Sequence, residues 1–151
     1  FNPAMGKDKV FLDTSVLITA VLSSAGGSFY ILNSLKDDFN FFINEYVLEE
    51  SIKVLDDKFY KREDFKRKLF LLIGLTPVKV ILNPPVRQVK KLTKILNEKD
   101  CPILASAIKH CSYLITLDND FLSREVVEFS LKKKLMILKP KDFIQMLRNP
   151  N

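Results

Sequence analysis

The chain has 151 residues, 47% of them hydrophobic and 28% charged, which suffices for one domain with its own core. Lys, Asp or Glu interrupts every apolar run, so no membrane-spanning helix and no membrane partner is expected, and no secretory leader is visible. The net charge of +6 suits a polyanionic partner, and the two cysteines, Cys101 and Cys111, have no metal-ligand spacing. They read as free thiols in a reducing, cytoplasmic setting. Phe1-Asn2-Pro3-Ala4 precede Met5 and read as an appended remnant, which places a single domain at residues 5–149.

Lys9 to Leu12 is a short apolar run that reads as a buried strand ending at Asp13. Thr14 to Leu22 stays apolar and turns into a helix, and Ser23 to Ser28 is a loop signal. Phe29, Leu32 and Leu35 mark a short helix face, and Phe41-Phe42-Ile43 a second strand. Asn44 can cap the next helix, whose inner stripe is Val47, Leu48, Ser51, Ile52, Leu55 and Phe59. Lys61 to Ile73 is a second, basic helix ended by Gly74 and Pro77, and the alternating, β-branched Val78 to Leu82 is a strand.

After Pro84-Pro85 the spacing of Val89, Leu92 and Leu96 predicts a helix over Val86 to Asn97, and Asp100 to Lys109 a further one. Tyr113 to Thr116 is a strand ending beside Asp118. Ser123 caps a helix to about Lys133, Leu135 to Leu138 is the last strand, and Pro140 opens the final helix. Strands separated by helices make the chain α/β, with a mostly parallel sheet.

The acids carry the chemistry. Asp13 and Asp118 stand at strand ends, where ligands of an open parallel sheet bind. Glu50 and Asp100 stand at the edges of amphipathic helices, and Asp120 follows Asp118 by two. Crowded carboxylates raise one another's pKa, a cost that a divalent cation removes. Oxygen-only sites of this kind suit Mg²⁺ or Mn²⁺, and two such ions about 4 Å apart clamp the attacking and leaving oxygens of a phosphodiester. That chemistry needs no histidine or cysteine base, in keeping with a single His.

Each acid also has a plain structural reading. Asp100 fits an N-cap with Pro102 in the first turn, Glu50 a solvated helix position, and Asp118-Asn119-Asp120 a turn. Asp13 resists such a reading, because Asp seldom ends an apolar strand without a task. Two basic runs, Lys58 to Lys68 and Lys132-Lys133-Lys134, could track phosphates or simply face solvent; within the first, Lys61, Arg62, Lys66 and Arg67 are the candidate nucleic-acid contacts.

The motifs Phe11-Leu12-Asp13-Thr14-Ser15-Val16-Leu17, Val47-Leu48-Glu49-Glu50-Ser51-Ile52, Lys99-Asp100-Cys101-Pro102-Ile103-Leu104-Ala105 and Thr116-Leu117-Asp118-Asn119-Asp120-Phe121 resemble those of the PIN-domain family. That family includes many metal-dependent ribonucleases and VapC-type toxins. The resemblance runs from about Lys7 through Leu138-Lys139-Pro140-Lys141-Asp142-Phe143. It implies a three-layer α/β/α PIN-like fold and a metal site of Asp13, Glu50, Asp100 and Asp118. Asp120 is then an accessory ligand, with hydroxyl support from Thr14, Ser15 and Thr116. A one-residue shift of register would move the helix role from Glu50 to Glu49. The implied function is a Mg²⁺- or Mn²⁺-dependent endoribonuclease cutting single-stranded RNA, with an antitoxin protein and a second copy of the chain as partners the resemblance allows.

Other strand-end-Asp enzymes fit less well. Haloacid-dehalogenase-type phosphatases need a second Asp where Ser15 stands, and the Toprim nuclease fold expects Glu where Asp13 stands. A PIN-like module that binds RNA or protein without cutting is the alternative outside enzymes, and the full set of acids weighs against it.

Overall fold

The computed structural model describes residues 6–149, so the four-residue remnant expected at the start lies outside the described residues. Five strands alternate with helices: β1 (Asp8–Leu12), β2 (Phe39–Asn44), β3 (Lys79–Ile81), β4 (Tyr113–Ile115) and β5 (Met136–Leu138). They pair in the order β3-β2-β1-β4-β5, and every pairing is parallel. The helices form the outer layers of an α/β/α fold. They are α1 (Thr14–Leu22), α2 (Gly27–Ser34), α3 (Glu45–Lys58), α4 (Glu63–Leu75), α5 (Val86–Leu92), α6 (Cys101–His110), α7 (Arg124–Lys132) and α8 (Pro140–Arg148).

β1 lies at the centre because its side chains can be buried on both faces. Val10, Phe11 and Leu12 are wholly inaccessible, each contributing about 1.5–3 kcal/mol of apolar burial. The chain leaves β1 toward β2 and β3, then returns across it to lay down β4 and β5. The direction of winding therefore reverses between β1 and β4, and the crevice at that reversal, outside the carboxyl ends of the strands, is where an open α/β sheet binds ligands. At the opposite end of the sheet the aromatics close the core. Phe143 of α8 sits 5.1 Å from Phe39 and 5.4 Å from Tyr113, centroid to centroid.

The predicted elements are present with shifted edges. Asn44 and Ser123 cap α3 and α7 as their residue types suggest, accepting from Val47 N–H at 2.9 Å and from Val126 N–H at 3.4 Å. Gly74 does not end its helix, which runs on to Leu75 with Thr76 as the C-cap. The helix expected over Val86 to Asn97 stops at Leu92, and the chain descends by turns into a single 3₁₀ turn at Glu98–Asp100. The Thr93 hydroxyl helps to end it by donating to the Lys90 carbonyl at 2.7 Å. Among the described residues no single helix is long and apolar enough to cross a membrane.

The run Lys132-Lys133-Lys134 closes α7. Leu135 N–H donates to Ser130 O at 2.9 Å and Lys134 N–H to Leu131 O at 3.0 Å, the paired bonds of a Schellman stop, with Lys134 at φ 65°. Cations at a helix C-terminus also complement its dipole, so this run has a structural task. A lysine in the left-handed region carries a Cβ penalty that glycine avoids. Lys134→Gly is therefore expected to stabilise the protein by about 1 kcal/mol, or about 2–4 °C in Tm. A lowered Tm in thermal unfolding would count against this account of the turn.

Candidate metal centre

Asp13 follows β1 directly and is the N-cap of α1. Its backbone N–H extends the β1–β4 ladder by donating to Ile115 O at 3.1 Å, so the side chain is delivered to the crevice by the sheet itself. The carboxylate is buried. Oδ1 accepts from Thr14 N–H at 2.7 Å, and Oδ2 accepts from the hydroxyls of Ser15 at 2.8 Å and Thr116 at 2.7 Å. Each hydroxyl is itself anchored by the loop after β4, with Leu117 N–H donating to Ser15 Oγ and Asp118 N–H to Thr116 Oγ1, both at 3.0 Å. Burial raises the Asp13 pKa against the lowering effect of these three donors, and Asp118 raises it further.

Asp118 and Asp120 come from that same loop, where Asp120 N–H donates to Asp118 Oδ1 at 2.9 Å. The turn expected for Asp118-Asn119-Asp120 thus exists, and it presents two carboxylates to one side. Asp100 meets them from the start of α6. One carboxylate oxygen from each of Asp100, Asp118 and Asp120 lies within 4.8 Å of the other two, close enough for a single ion.

Asp100 occupies the N-cap position of α6, yet its side chain makes no capping hydrogen bond. Its Oδ2 is buried and has no hydrogen-bond partner. An unsatisfied buried carboxylate oxygen is costly unless a cation completes it. Burial first, then the charges of Asp118 and Asp13, push the Asp100 pKa up to about 7. The capping explanation of Asp100 is therefore excluded by geometry, and the donor set, all oxygen and mostly carboxylate, fits a hard divalent cation.

Glu50 projects from α3 toward the same crevice, where its Oε1 accepts from the Thr14 hydroxyl. Glu49 is exposed on the next face of the helix. The structure thus gathers Asp100, Asp118 and Asp120 most tightly, with Asp13 beside them and Glu50 joined through Thr14. Asp13 and Glu50 lie outside the tight trio, while Asp120, an accessory ligand in the sequence reading, lies within it.

Three neighbours were not singled out as site residues from sequence. Tyr46, half-buried and one helical turn before Glu50, has its phenol pKa raised by burial and then by Glu50, Asp100 and Asp13. Its i, i+4 spacing to Glu50 was the available signal. Asn97 donates to Asp120 Oδ2 at 3.0 Å and steers that carboxylate. Asn44, read only as a cap, also donates through Nδ2 to Pro102 O at 3.1 Å and Ser106 Oγ at 2.9 Å, which pins the start of α6 and hence Asp100.

His110 closes α6 at the end away from Asp100. Burial raises the Cys101 pKa and pushes Cys111 up to about 12, so neither thiol is an activated nucleophile. On the α3–α4 hairpin Arg62 pairs with Asp64 through two hydrogen bonds at 3.1 and 3.2 Å, and Lys66 pairs with Asp56 at 2.9 Å. Lys61 lies over the Tyr60 ring, and Arg67 is exposed.

No curated protein matches the chain. Among solved structures it is similar to VapBC2 from Rickettsia felis bound to a DNA fragment from its promoter, with a TM-score of 0.63 and 18% identity over 87% of this chain and 98% of that one. It is similar also to PAE2754 from Pyrobaculum aerophilum, with a TM-score of 0.63 and 16% identity over 94% of this chain and 90% of that one. At such identities the likeness is one of fold. The sequence itself, over residues 10–126, matches the model of the PIN domain, and with most of its length so matched the chain belongs to the PIN-domain family.

Proposed function

We propose that this protein is a divalent-metal-dependent endoribonuclease that hydrolyses phosphodiester bonds in single-stranded RNA, using Mg²⁺ or Mn²⁺. The single observation that carries the reading is the carboxylate of Asp100, whose buried Oδ2 has no hydrogen-bond partner and which gathers with those of Asp118 and Asp120. Membership of a family whose members are generally nucleases supports it. Asp100, Asp118 and Asp120 would hold a cation, with Asp13 and Glu50 completing the oxygen donors around it. Bound there, a divalent cation supplies Lewis-acid charge to a phosphodiester and favours an ionised water nucleophile at neutral pH. The chain's own part is preorganisation. Thr116 and Ser15 hold Asp13 in one rotamer, Thr14 holds Glu50, and Asn97 holds Asp120.

We further propose a toxin role held off by an antitoxin protein. The similarity in fold to a VapBC2 chain supports that reading. Growth arrest on expression, lost on Asp13→Asn, is the result it requires.

Asp13→Asn keeps the shape while removing the charge and one of the two acceptor oxygens. It should lower RNA cleavage at least about 100-fold in Mn²⁺ while the metal-free protein still folds and unfolds in one cooperative thermal transition. Wild-type rates in a preparation free of contaminating nuclease would sink the assignment.

The metal-free protein should respond to pH in a defined direction. Asp100 has a folded pKa of about 7, above its ordinary value. Over the window from about pH 4 to about pH 7 the folded state therefore binds more protons than the unfolded state, and stability falls as pH rises. Asp100→Asn should lessen that slope, leaving the share that the raised Asp13 contributes, and raise stability at pH 8 by about 1 kcal/mol or more, a few degrees in Tm. Equal slopes in the two proteins, measured in EDTA, would contradict the burial argument.

Because ligands bind deprotonated, Mn²⁺ should raise Tm more at pH 8 than at pH 5.5. A concentration about 100-fold above Kd is worth about 2.7 kcal/mol. No shift at millimolar Mn²⁺ at pH 8 would instead favour a binding module that does not cut.

A further inference from the structure

The cations best placed to hold a strand are on none of the runs that stand out in the sequence. Arg87, Lys90, Lys91 and Lys94 recur at i, i+3, i+4 and i+7, which places them on one face of α5 and its terminal turn. All four are exposed, and together with Val86 they line a shallow depression of about 590 Å³. Among the described residues none of the four has a carboxylate within ion-pair distance or an aromatic ring beneath it. On the α3–α4 hairpin, by contrast, Arg62, Lys66 and Lys68 are engaged with Asp64 and Asp56. Four like charges along about 10 Å of helix repel one another, and no internal partner offsets that cost.

The position of the stripe is as telling as its charge. α5 packs on α6, the helix whose first turn carries Asp100. Between stripe and acids runs a second groove of about 410 Å³ lined by Thr93, Asn97, Asn119 and Asp120 among others. Thr93 of this groove and Lys94 of the stripe are consecutive in the chain, and Asn97, three residues after Lys94, lines the groove and holds Asp120. The end of the stripe therefore stands a few residues from the wall of the groove that reaches the acids.

We infer that this α5 face is the phosphate track of the protein, holding the backbone of single-stranded RNA on one side of the scissile bond. The inference rests on the nuclease reading for its choice of ligand, but the stripe itself can be tested without cleavage. The probe is an end-labelled, fluorescein-tagged single-stranded RNA whose binding to the full chain is followed by anisotropy in EDTA across a salt series. Each phosphate contact on a single strand contributes about 0.7 to the slope of log affinity against log salt. The Arg87→Ala/Lys90→Ala/Lys91→Ala/Lys94→Ala variant should lose about 2 to 3 of that slope and bind at least about tenfold more weakly. Lys90→Arg/Lys91→Arg should retain wild-type binding, and Arg62→Ala/Lys66→Ala should lose less than half as much slope as the α5 variant.

Hydrolysis of bis(p-nitrophenyl) phosphate in Mn²⁺, a substrate too short to reach the stripe, should be the same in the α5 variant and the wild type. If the wild type fails to hydrolyse it or RNA while still binding RNA through α5, the nuclease reading fails and the track stands. If the wild type cuts RNA but its affinity and salt slope are unmoved by the α5 substitutions, the track is wrong and the nuclease reading stands. Absence of RNA binding by the wild type also overturns the track. So does loss of binding to phosphatidylserine vesicles with RNA affinity unchanged, which would assign the stripe to a membrane surface.

Discussion

The buried carboxylate of Asp13, gripped by two hydroxyls, is the constraint on which the crevice depends. Asp13 Oδ2 accepts from Thr116, the first residue after β4, and from Ser15 of the helix that follows it. Both hydroxyls are in turn fixed by backbone N–H groups of Leu117 and Asp118. The loop after β4 is thereby fastened to the end of β1 across the reversal in sheet winding. Remove the carboxylate's hydrogen-bonding capacity and the loop that carries Asp118 and Asp120 loses its mooring. The clamp is structural in itself, and on the proposed reading the same carboxylate would also serve the metal site.

This arrangement has a cost, because it takes carboxylates out of water; the other buried side-chain atoms without partners among the described residues are the neutral hydroxyls of Ser51 and Ser130. Elsewhere the core is apolar and Phe-rich, and the buried Asn44 and Thr76 side chains have found partners in Val47, Pro102, Ser106 and Leu32. At the crevice three carboxylates face one another with no ion-pair partner among the described residues, the charge of Lys99 only partly offsetting the rise at Asp100, although the chain is net positive by six charges. At Asp100 burial acts first and the neighbouring charges next, and it lacks the donors that Asp13 enjoys. A protein with 24 basic residues has had ample means to neutralise these acids internally. That it uses Lys66 and Arg62 to pair exposed aspartates instead, and leaves Asp100 unpaired, is the pattern of a site that waits for a ligand.

Sequence reasoning reached what local rules govern. A strand-end Asp, the Asn44 and Ser123 caps, the Pro140 helix start and the parallel α/β class are all encoded within a few neighbouring residues. What it could not reach depends on contacts distant in the chain. The tight trio includes Asp120 because Asn97, 23 residues away, draws that carboxylate inward. Whether Asp100 uses its side chain to cap α6 turns on where the loop after β4 places competing charge. The helix over Val86 to Asn97 was overextended for the same reason. Its apolar spacing continues to Leu96, but Asn97 must reach Asp120 and Asp100 must reach the trio, so the backbone leaves α5 at Leu92.

The α5 stripe shows why charge runs in a sequence mislead. Lys132-Lys133-Lys134 and the Lys58 to Lys68 segment are dense in one dimension, but neighbours in sequence point to different faces of a helix. In the structure the first run closes α7, and much of the second pairs with Asp56 and Asp64. Arg87, Lys90, Lys91 and Lys94 are sparser in the chain yet coincide on one face, free of carboxylates. An extended polyanion meets faces, and its affinity follows the number of phosphates neutralised at once. Basic residues therefore matter to such a ligand by helical register and by freedom from internal partners. By both criteria α5, packed on the helix that carries Asp100, outranks the denser runs. On the proposed reading the acids would hold a cation and repel a strand, so a separate cationic face close to them is what would draw a phosphate backbone in.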